Sequence, residues 1–164
     1  MEEKLSKIEL TYLPDFDRNF FEKDKDFSCI GKGALGGKAA GLAFIKKTIE
    51  EKINRADFPL IDIGIPSLTV IRTEVFDAFM ERNNLYEIAL SDEPDDRIVH
   101  AFLNADLPAE ILGDLRFLIK SIHQPLAIRS SSLLEDAKFE PFAGIYATKM
   151  ISNHESEIND RLIN

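Results

Sequence analysis

The chain has 164 residues and a formal net charge of −9, with 45% hydrophobic and 30% charged residues. This composition indicates one globular domain, or two small lobes that share a core, and excludes an intrinsically disordered chain. The negative charge disfavours a nucleic-acid partner, although a few local cations and backbone N–H groups could still bind one phosphate chain.

The single cysteine, Cys29, cannot form an internal disulfide, and we interpret it as a small buried apolar residue, not a nucleophile. The charged N-terminus lacks the apolar core of a signal peptide. No apolar run approaches the roughly 18 residues that a membrane-spanning helix needs. We therefore expect a cytoplasmic protein that has neither a nucleic-acid nor a membrane partner.

In chain order, residues 1–26 predict an N-terminal extension, and a short strand at Phe27–Ile30 leads into a glycine-rich segment. The apolar pattern after these glycines predicts a helix over residues 38–53. A second strand is expected at Leu68–Ile71, followed by a helix through Arg82 that Thr73 caps. The inner face of this helix is predicted from the following apolar residues: Val75, Phe76 and Phe79.

The second half of the sequence predicts helices over residues 98–103 and 108–122 and a buried strand at 126–128. Strand character returns over residues 144–151, and the sequence ends within an amphipathic pattern that starts at His154. We expect the strands at 68–71, 126–128 and 144–150 to form one small mixed sheet, with the helix over 38–53 packed on it. The expected class is α+β, with a domain over residues 27–164 that is truncated at its C-terminus.

The glycine segment over residues 31–41 has the character of an anion site, because a glycine-rich turn that opens a helix exposes backbone N–H groups and the positive end of the helix dipole. A cation in the first turn, Lys38, opposes that dipole unless an anionic ligand lies nearby. The Walker pattern fails because Lys32 replaces its first glycine and Ala39 replaces its Ser or Thr. A dinucleotide pattern with Asp57 downstream, and a turn without a ligand, both remain open.

A second candidate segment starts at Arg129, which directly follows a predicted strand and precedes Ser130 and two further serines. Arginine offers a rigid fork of donors for phosphate oxygens, and hydroxyl groups add neutral donors. A surface arginine paired with Glu135 or Asp136 is the alternative.

Three blocks in sequence give the chain a family resemblance. Residues 36–42 (GGKAAGL), residues 64–79 and residues 126–144 (LAIRSSS, then ED, then FAG) are similar to the ATP-binding domain of pyruvate phosphate dikinase and phosphoenolpyruvate synthase. The resemblance covers roughly residues 27–150 and keeps the order of the blocks. The proline-rich run of the family is reduced here to Pro66-Ser67-Leu68, which leaves the acceptor substrate open.

The resemblance implies an ATP-grasp-type lobe in which Lys38 and Arg129 contact the phosphates of ATP. It implies that Gly144 and Thr148 line the same site, although Thr148 could equally be an ordinary strand residue. The expected nucleotide-binding residues are as follows: Gly36, Gly37, Lys38, Arg129, Ser130, Gly144 and Thr148.

The resemblance also implies a kinase-type transferase. ATP would donate a phosphoryl group to a histidine on a separate domain, which would pass it to a substrate domain. A second lobe would supply the adenine contacts and most ligands of Mg²⁺, so we expect this chain alone to be inactive. His100, His123 and His154 lack the phosphohistidine context. The alternative function is a nucleotide-sensing regulatory module without transfer activity.

Overall fold

The computed structural model describes residues 13–17, 27–132, 146–158 and 161. The α-helices whose bounds are described are α1 (Gly37–Lys52), α2 (Thr73–Arg82), α3 (Leu85–Ala89), α4 (Asp95–Leu103) and α5 (Ala109–Ser121). The strands there are β1 (Phe27–Ile30), β2 (Leu68–Ile71), β3 (Leu126–Arg129) and β4 (Thr148–Ile151). This content confirms the predicted α+β class. None of these helices is long and apolar enough to cross a membrane.

The β1 and β2 strands form a parallel pair in which Phe27 lies opposite Leu68 and Ile30 opposite Ile71. The chain passes between them through the glycine segment, α1 and a short 3-10 turn at Arg55–Asp57. All four residues of β1 are buried, because elements pack on both faces of the strand. This β1–α1–β2 unit is the part of the fold that positions the glycine segment.

Two apolar clusters cover the faces of β1. On one face, the cluster joins strand residues to the glycine segment and α1, and its buried members are Phe27, Cys29, Leu35, Ala39 and Val70. On the other face, Ile30 packs with Val75 of α2, Ile111 of α5 and Phe16. The strand therefore fixes α1 on one side and both α2 and α5 on the other.

The described part of the predicted N-terminal extension pairs with β1. The Phe16 N–H donates to the carbonyl of Cys29 at 2.8 Å, and the Cys29 N–H donates to the carbonyl of Pro14 at 3.0 Å. The Phe16 ring is buried and meets the Phe117 ring edge to face, with centroids 6.2 Å apart. Phe16 thus contributes to the core on the α5 side of β1, whereas Leu13 packs against the cluster on the α1 side.

The strands β3 and β4 form a separate antiparallel pair, in which Leu126 lies opposite Ile151 and Arg129 opposite Thr148. The prediction that the strands at 68–71, 126–128 and 144–150 share one sheet is therefore wrong. Strand propensity indicates where strands occur, but their partners are chosen by contacts between distant parts of the chain. Here β2 pairs with β1 and leaves β3 to pair with β4.

The prediction that residues 126–128 form a buried strand is also wrong. Leu126 is half-buried, but Ala127 and Ile128 are exposed, with 55% of Ile128 accessible. An apolar run indicates that a strand tends to be covered, not which part of the protein covers it. No helix in the described ranges shields these two residues as α1 and α2 shield β1.

The helix predicted over residues 38–53 is found as α1, within one residue at each end. The helix predicted after residue 73 is also found, but its N-cap is Arg72, and Thr73 is its first helical residue. Val75 is buried on this helix as expected, whereas Phe76 is 55% exposed and Met80 is buried instead. The inner face of α2 is therefore rotated away from Phe76, toward Val75 and Met80.

Candidate functional site

The glycine segment forms the turn between β1 and α1, and its last part is enclosed by other residues. Gly36 is the N-cap of α1, with φ at +77°. Its backbone is buried, like the neighbouring Leu35. A residue with a Cβ rarely adopts this left-handed conformation, so glycine is required where the chain turns from the strand into the helix.

The hydroxyl of Ser131 connects this turn to the segment that follows β3. The Ala39 N–H donates to Ser131 Oγ at 3.0 Å, across 92 positions of sequence. The same hydroxyl donates to the Leu35 carbonyl at 3.1 Å. Ala39 is the third residue of α1, and its N–H has no acceptor within the helix. Ser131 therefore acts as a remote cap of α1, in the place of a side chain that Gly36 lacks.

The backbones of the two segments also approach each other closely. A Cβ added at Gly36 would overlap the carbonyl oxygen of Ser131. Because no side chain fits between them, the chain after Arg129 lies directly on the N-terminus of α1. Lys38 directly precedes Ala39, and Arg129 precedes Ser131 by two residues, so both candidate cations belong to the segments that this contact joins.

The first part of the glycine segment has a different role, since it caps α2. The Ala34 N–H donates to Thr73 Oγ1 at 2.9 Å. The Thr73 N–H donates to the Ala34 carbonyl at 3.1 Å, and the Glu74 N–H to the Lys32 carbonyl at 3.2 Å. These bonds occupy N–H groups at the start of α2. The start of α1, and not that of α2, is therefore the helix end where an anion could be bound.

The first turn of α1 suits an anion. It contains no acidic residue, and its N-cap residue, Gly36, has no side chain that could cap it. The N–H groups of Gly37 and Lys38 belong to the first turn, which has no acceptor within the helix, and the helix dipole places partial positive charge there. Lys38 is half-buried and adds a full positive charge. A phosphate group would be bound by these groups together.

The predicted site residues Arg129 and Thr148 are directly opposite each other in the β3–β4 pair. Opposite residues of an antiparallel pair place their side chains on the same face, with Cβ atoms about 4.5–5.5 Å apart. Both residues are exposed. The fold therefore brings Thr148 to Arg129, a juxtaposition that the resemblance implied and that spacing along the sequence could not indicate.

For most of the remaining predicted site residues, the structure gives a position but no strand pairing with Arg129. Gly36, Gly37 and Lys38 lie at the start of α1, and Ser130 is half-buried between Arg129 and Ser131. Gly144 and the two carboxylates considered as partners of Arg129, Glu135 and Asp136, lie outside the described residues. The association of the glycine segment with the serine segment is shown. The convergence of the Lys38 and Arg129 side chains on one phosphate chain stays a prediction.

Sequence reasoning missed Ser131 as a residue of the site. The available signal was the glycine at the N-cap of α1, which cannot cap its own helix and so needs a hydroxyl from elsewhere. Three consecutive serines after Arg129 offered that hydroxyl, but only the fold indicates which of them reaches Ala39.

The Cys29 side chain is buried in β1, and burial raises the pKa of its thiol, an effect that the Arg72 guanidinium partly opposes. This confirms the interpretation of Cys29 as a buried core residue. The following histidines are exposed: His100, His123 and His154. Within the described ranges, no group of three His, Cys, Asp or Glu residues is arranged to hold a metal ion.

A dinucleotide-binding site requires a parallel β–α–β unit around the glycines and an acidic residue for the ribose. The β1–α1–β2 unit is present, but the acidic residue is not in the required place. Such sites place a carboxylate about 20 residues beyond the glycines, on the ribose. Asp57 lies in the 3-10 turn after α1, and the residue that follows β2 is Arg72. Arg72 contacts Asp15, with 4.0 Å between guanidinium and carboxylate. These placements disfavour a dinucleotide site.

A comparison with protein families identifies the kind of domain. The family model described as "Pyruvate phosphate dikinase, AMP/ATP-binding domain" matches residues 32–162, which is most of the chain. The chain belongs to this family. The match starts within the glycine segment and continues beyond β4, so it includes both segments that Ser131 joins. No curated protein and no solved structure gives a significant match.

Membership of the pyruvate phosphate dikinase family confirms the resemblance found in the three sequence blocks and assigns the chain to a nucleotide-binding domain. The nucleotide in question is AMP or ATP. A kinase-type enzyme is the context in which this family domain occurs.

Proposed function

We propose that this chain is the phosphate-binding part of a phosphotransferase of the pyruvate phosphate dikinase and phosphoenolpyruvate synthase kind. The α1 N-terminus and the Arg129 segment would hold the phosphates of ATP between them. The observation that carries the proposal is that the Ser131 hydroxyl accepts from the Ala39 N–H and donates to the Leu35 carbonyl, which joins the two segments. The contact of two sequence blocks from one nucleotide-binding family supports a shared binding surface.

The roles of the side chains follow from their positions. Lys38 is a compact charge in the first turn of α1, where N–H groups and the helix dipole also favour an anion. Arg129 presents a planar fork that can bind two phosphate oxygens at once. Gly36 allows the Ser131 backbone to lie against the start of α1, Gly37 leaves the backbone there without a side chain, and Thr148 adds a hydroxyl opposite Arg129. These groups position the transferred phosphoryl group and neutralise its charge.

The acceptor in this proposal is a histidine on another domain, which then transfers the group to a substrate domain. An ATP-grasp-type second lobe would supply the adenine contacts and the carboxylates for Mg²⁺. The residues of this chain orient and screen the phosphates in that scheme and form no covalent bond. The chain alone would therefore bind Mg·ATP weakly and transfer no phosphoryl group.

Substitution of the two cations tests the proposal. Lys38→Ala and Arg129→Ala each remove a charge-assisted contact of roughly 1.5–3 kcal/mol, which corresponds to an affinity for Mg·ATP about 10- to 100-fold lower. Lys120→Ala, which removes an exposed cation near the end of α5, is the matched control and should leave the affinity unchanged. Titrations followed by NMR measure even millimolar dissociation constants. Unchanged affinity in both site variants would refute the phosphate role of these residues.

A further inference from the structure

Helices α2, α3 and α4 pack into a cluster whose arrangement is fixed by a few specific contacts. The Phe79 and Phe102 rings lie 6.3 Å apart between centroids, so Phe102 faces α2. The amide of Asn83 donates to the Asp106 carbonyl and accepts from the Asp106 N–H, both at 2.9 Å. The orientation of α4 is therefore determined at the Phe102 ring and just beyond its C-terminal end.

Beside the side of α4 that carries Phe102 lies an apolar stripe, which is uncovered within the described ranges. Val99 and Leu103 are one helical turn apart, and they are 54% and 79% exposed. No residue of α4 is fully buried. Other large apolar side chains of the same helical cluster are also exposed: Phe76, Tyr86 and Leu90. The neighbouring pair Val99 and Leu103 on one helix is the kind of exposed apolar feature that can mark an interaction surface.

This apolar surface lies in the most acidic part of the chain. Residues 73–106 contain nine Asp or Glu and two Arg, and all nine carboxylates are exposed. Two of them, Asp95 and Asp96, lie in the first turn of α4. By contrast, residues 27–72 contain seven Lys or Arg and four Asp or Glu. The chain thus separates a cationic part, which includes the glycine segment, from an anionic helical part.

We propose that the exposed face of α4, with its acidic surroundings, is a docking surface for a basic amphipathic helix of a partner protein. Val99 and Leu103 would contact the apolar stripe of that helix, and the carboxylates would attract lysine or arginine residues beside the stripe. The same carboxylates would repel an identical face, which argues against a symmetric dimer through α4. This role is independent of the nucleotide site proposed above.

A synthetic helical peptide of leucine and lysine, about 18 residues long, is a suitable probe. Its controls are a scrambled peptide of the same composition and an amphipathic peptide of leucine and glutamate. Binding to the ¹⁵N-labelled chain would be followed by NMR, with shifts expected at α4 and few at the glycine segment. The double variant Val99→Ser, Leu103→Ser should bind about tenfold more weakly. The double variant Asp95→Asn, Asp96→Asn should lose affinity mainly at low salt.

Matched control variants are Leu60→Ser, which replaces a 96% exposed leucine elsewhere, and Glu50→Gln with Glu51→Gln in the cationic part. These should leave the affinity unchanged. Equal binding of the scrambled peptide, or equal binding by the Val99 and Leu103 variant, would overturn the proposal, because charge alone would then explain the interaction. Sedimentation that shows self-association abolished by the same double variant would also overturn it, since a second copy would then be the occupant.

Discussion

The Ser131 side chain makes two hydrogen bonds to the glycine segment, one as acceptor and one as donor. Both of its partners, the Ala39 N–H and the Leu35 carbonyl, belong to the turn that starts α1. A single hydroxyl thus satisfies a helix N-terminus and at the same time holds the segment that contains Arg129. The relative position of the two candidate cations depends on this residue, although it does not itself carry a charge.

The substitution Ser131→Ala should therefore weaken Mg·ATP binding as well as the fold. Two partly buried backbone groups lose their partner, which costs about 1–3 kcal/mol of unfolding free energy. Ser131→Thr keeps the hydroxyl and should restore much of the affinity. Urea denaturation and NMR titration at a temperature where all variants are folded would separate the two effects.

Ser121→Ala is the matched control for that experiment, since the Ser121 hydroxyl donates to the Phe117 carbonyl at 2.9 Å on α5. It should leave the affinity for Mg·ATP unaltered. If Ser131→Ala lowers stability but binds Mg·ATP like the unsubstituted chain, Ser131 is a structural cap only and does not position the site.

At the scale of elements, the two ends of the glycine segment contact different helices. Its first part caps α2 through Lys32 and Ala34, and its last part forms the N-cap of α1 at Gly36. Because the α2 end is satisfied by the segment itself, the helix end that remains a candidate for an anion is that of α1, where Ser131 occupies the Ala39 N–H. The site therefore depends on how α1 begins more than on the number of glycines in the segment.

Two glycines of this region should respond to alanine in opposite directions. Gly36→Ala introduces a Cβ at φ +77°, against the Ser131 carbonyl, and should lower the unfolding free energy by more than about 1 kcal/mol. Gly41→Ala, inside α1, meets no atom within 4 Å and should raise it by about 1 kcal/mol through helix propensity. Urea denaturation measures both. A stabilised Gly36→Ala variant would contradict the close approach of the two segments.

Local patterns in the sequence predicted the elements well and their assembly poorly. The position of β2 follows from a β-branched run, that of α1 from apolar spacing, and that of β1 from the segment that leads into the glycines. All three agree with the structure within a residue. The short helix α3 was not predicted, because its five residues are too few to show a period. The separation into two sheets depends on distant pairing, which no local pattern contains.

The candidate site was likewise predicted in its parts but not in its assembly. Glycines before a helix and an arginine after a strand each indicated an anion site, but each retained an alternative without a ligand. The two segments occur in the order that the family has, which suggested that both belong to one nucleotide site. The family match supports that inference. The contact through Ser131 and the pairing of Arg129 with Thr148 required the fold.

For the whole molecule, the net charge of −9 is unevenly distributed along the chain, which affects the ligands that each part can bind. Cations are concentrated in the part with the glycine segment, whereas carboxylates are concentrated in the cluster of α2, α3 and α4. A negatively charged nucleotide is therefore compatible with an acidic protein, because the field near the site is set by nearby groups. The acidic cluster, in turn, favours basic partners at a different surface.

In the proposed function, the α1 N-terminus and the segment from Arg129 to Ser131 bind one phosphate chain together. The most direct measurement is an NMR titration of the ¹⁵N-labelled chain with Mg·ATP, followed at individual backbone amides. The amides of Gly37, Lys38, Arg129 and Ser131 should shift with a single dissociation constant, and those of α4 should not. Shifts confined to one segment, or two segments that saturate at different ATP concentrations, would contradict a shared phosphate site.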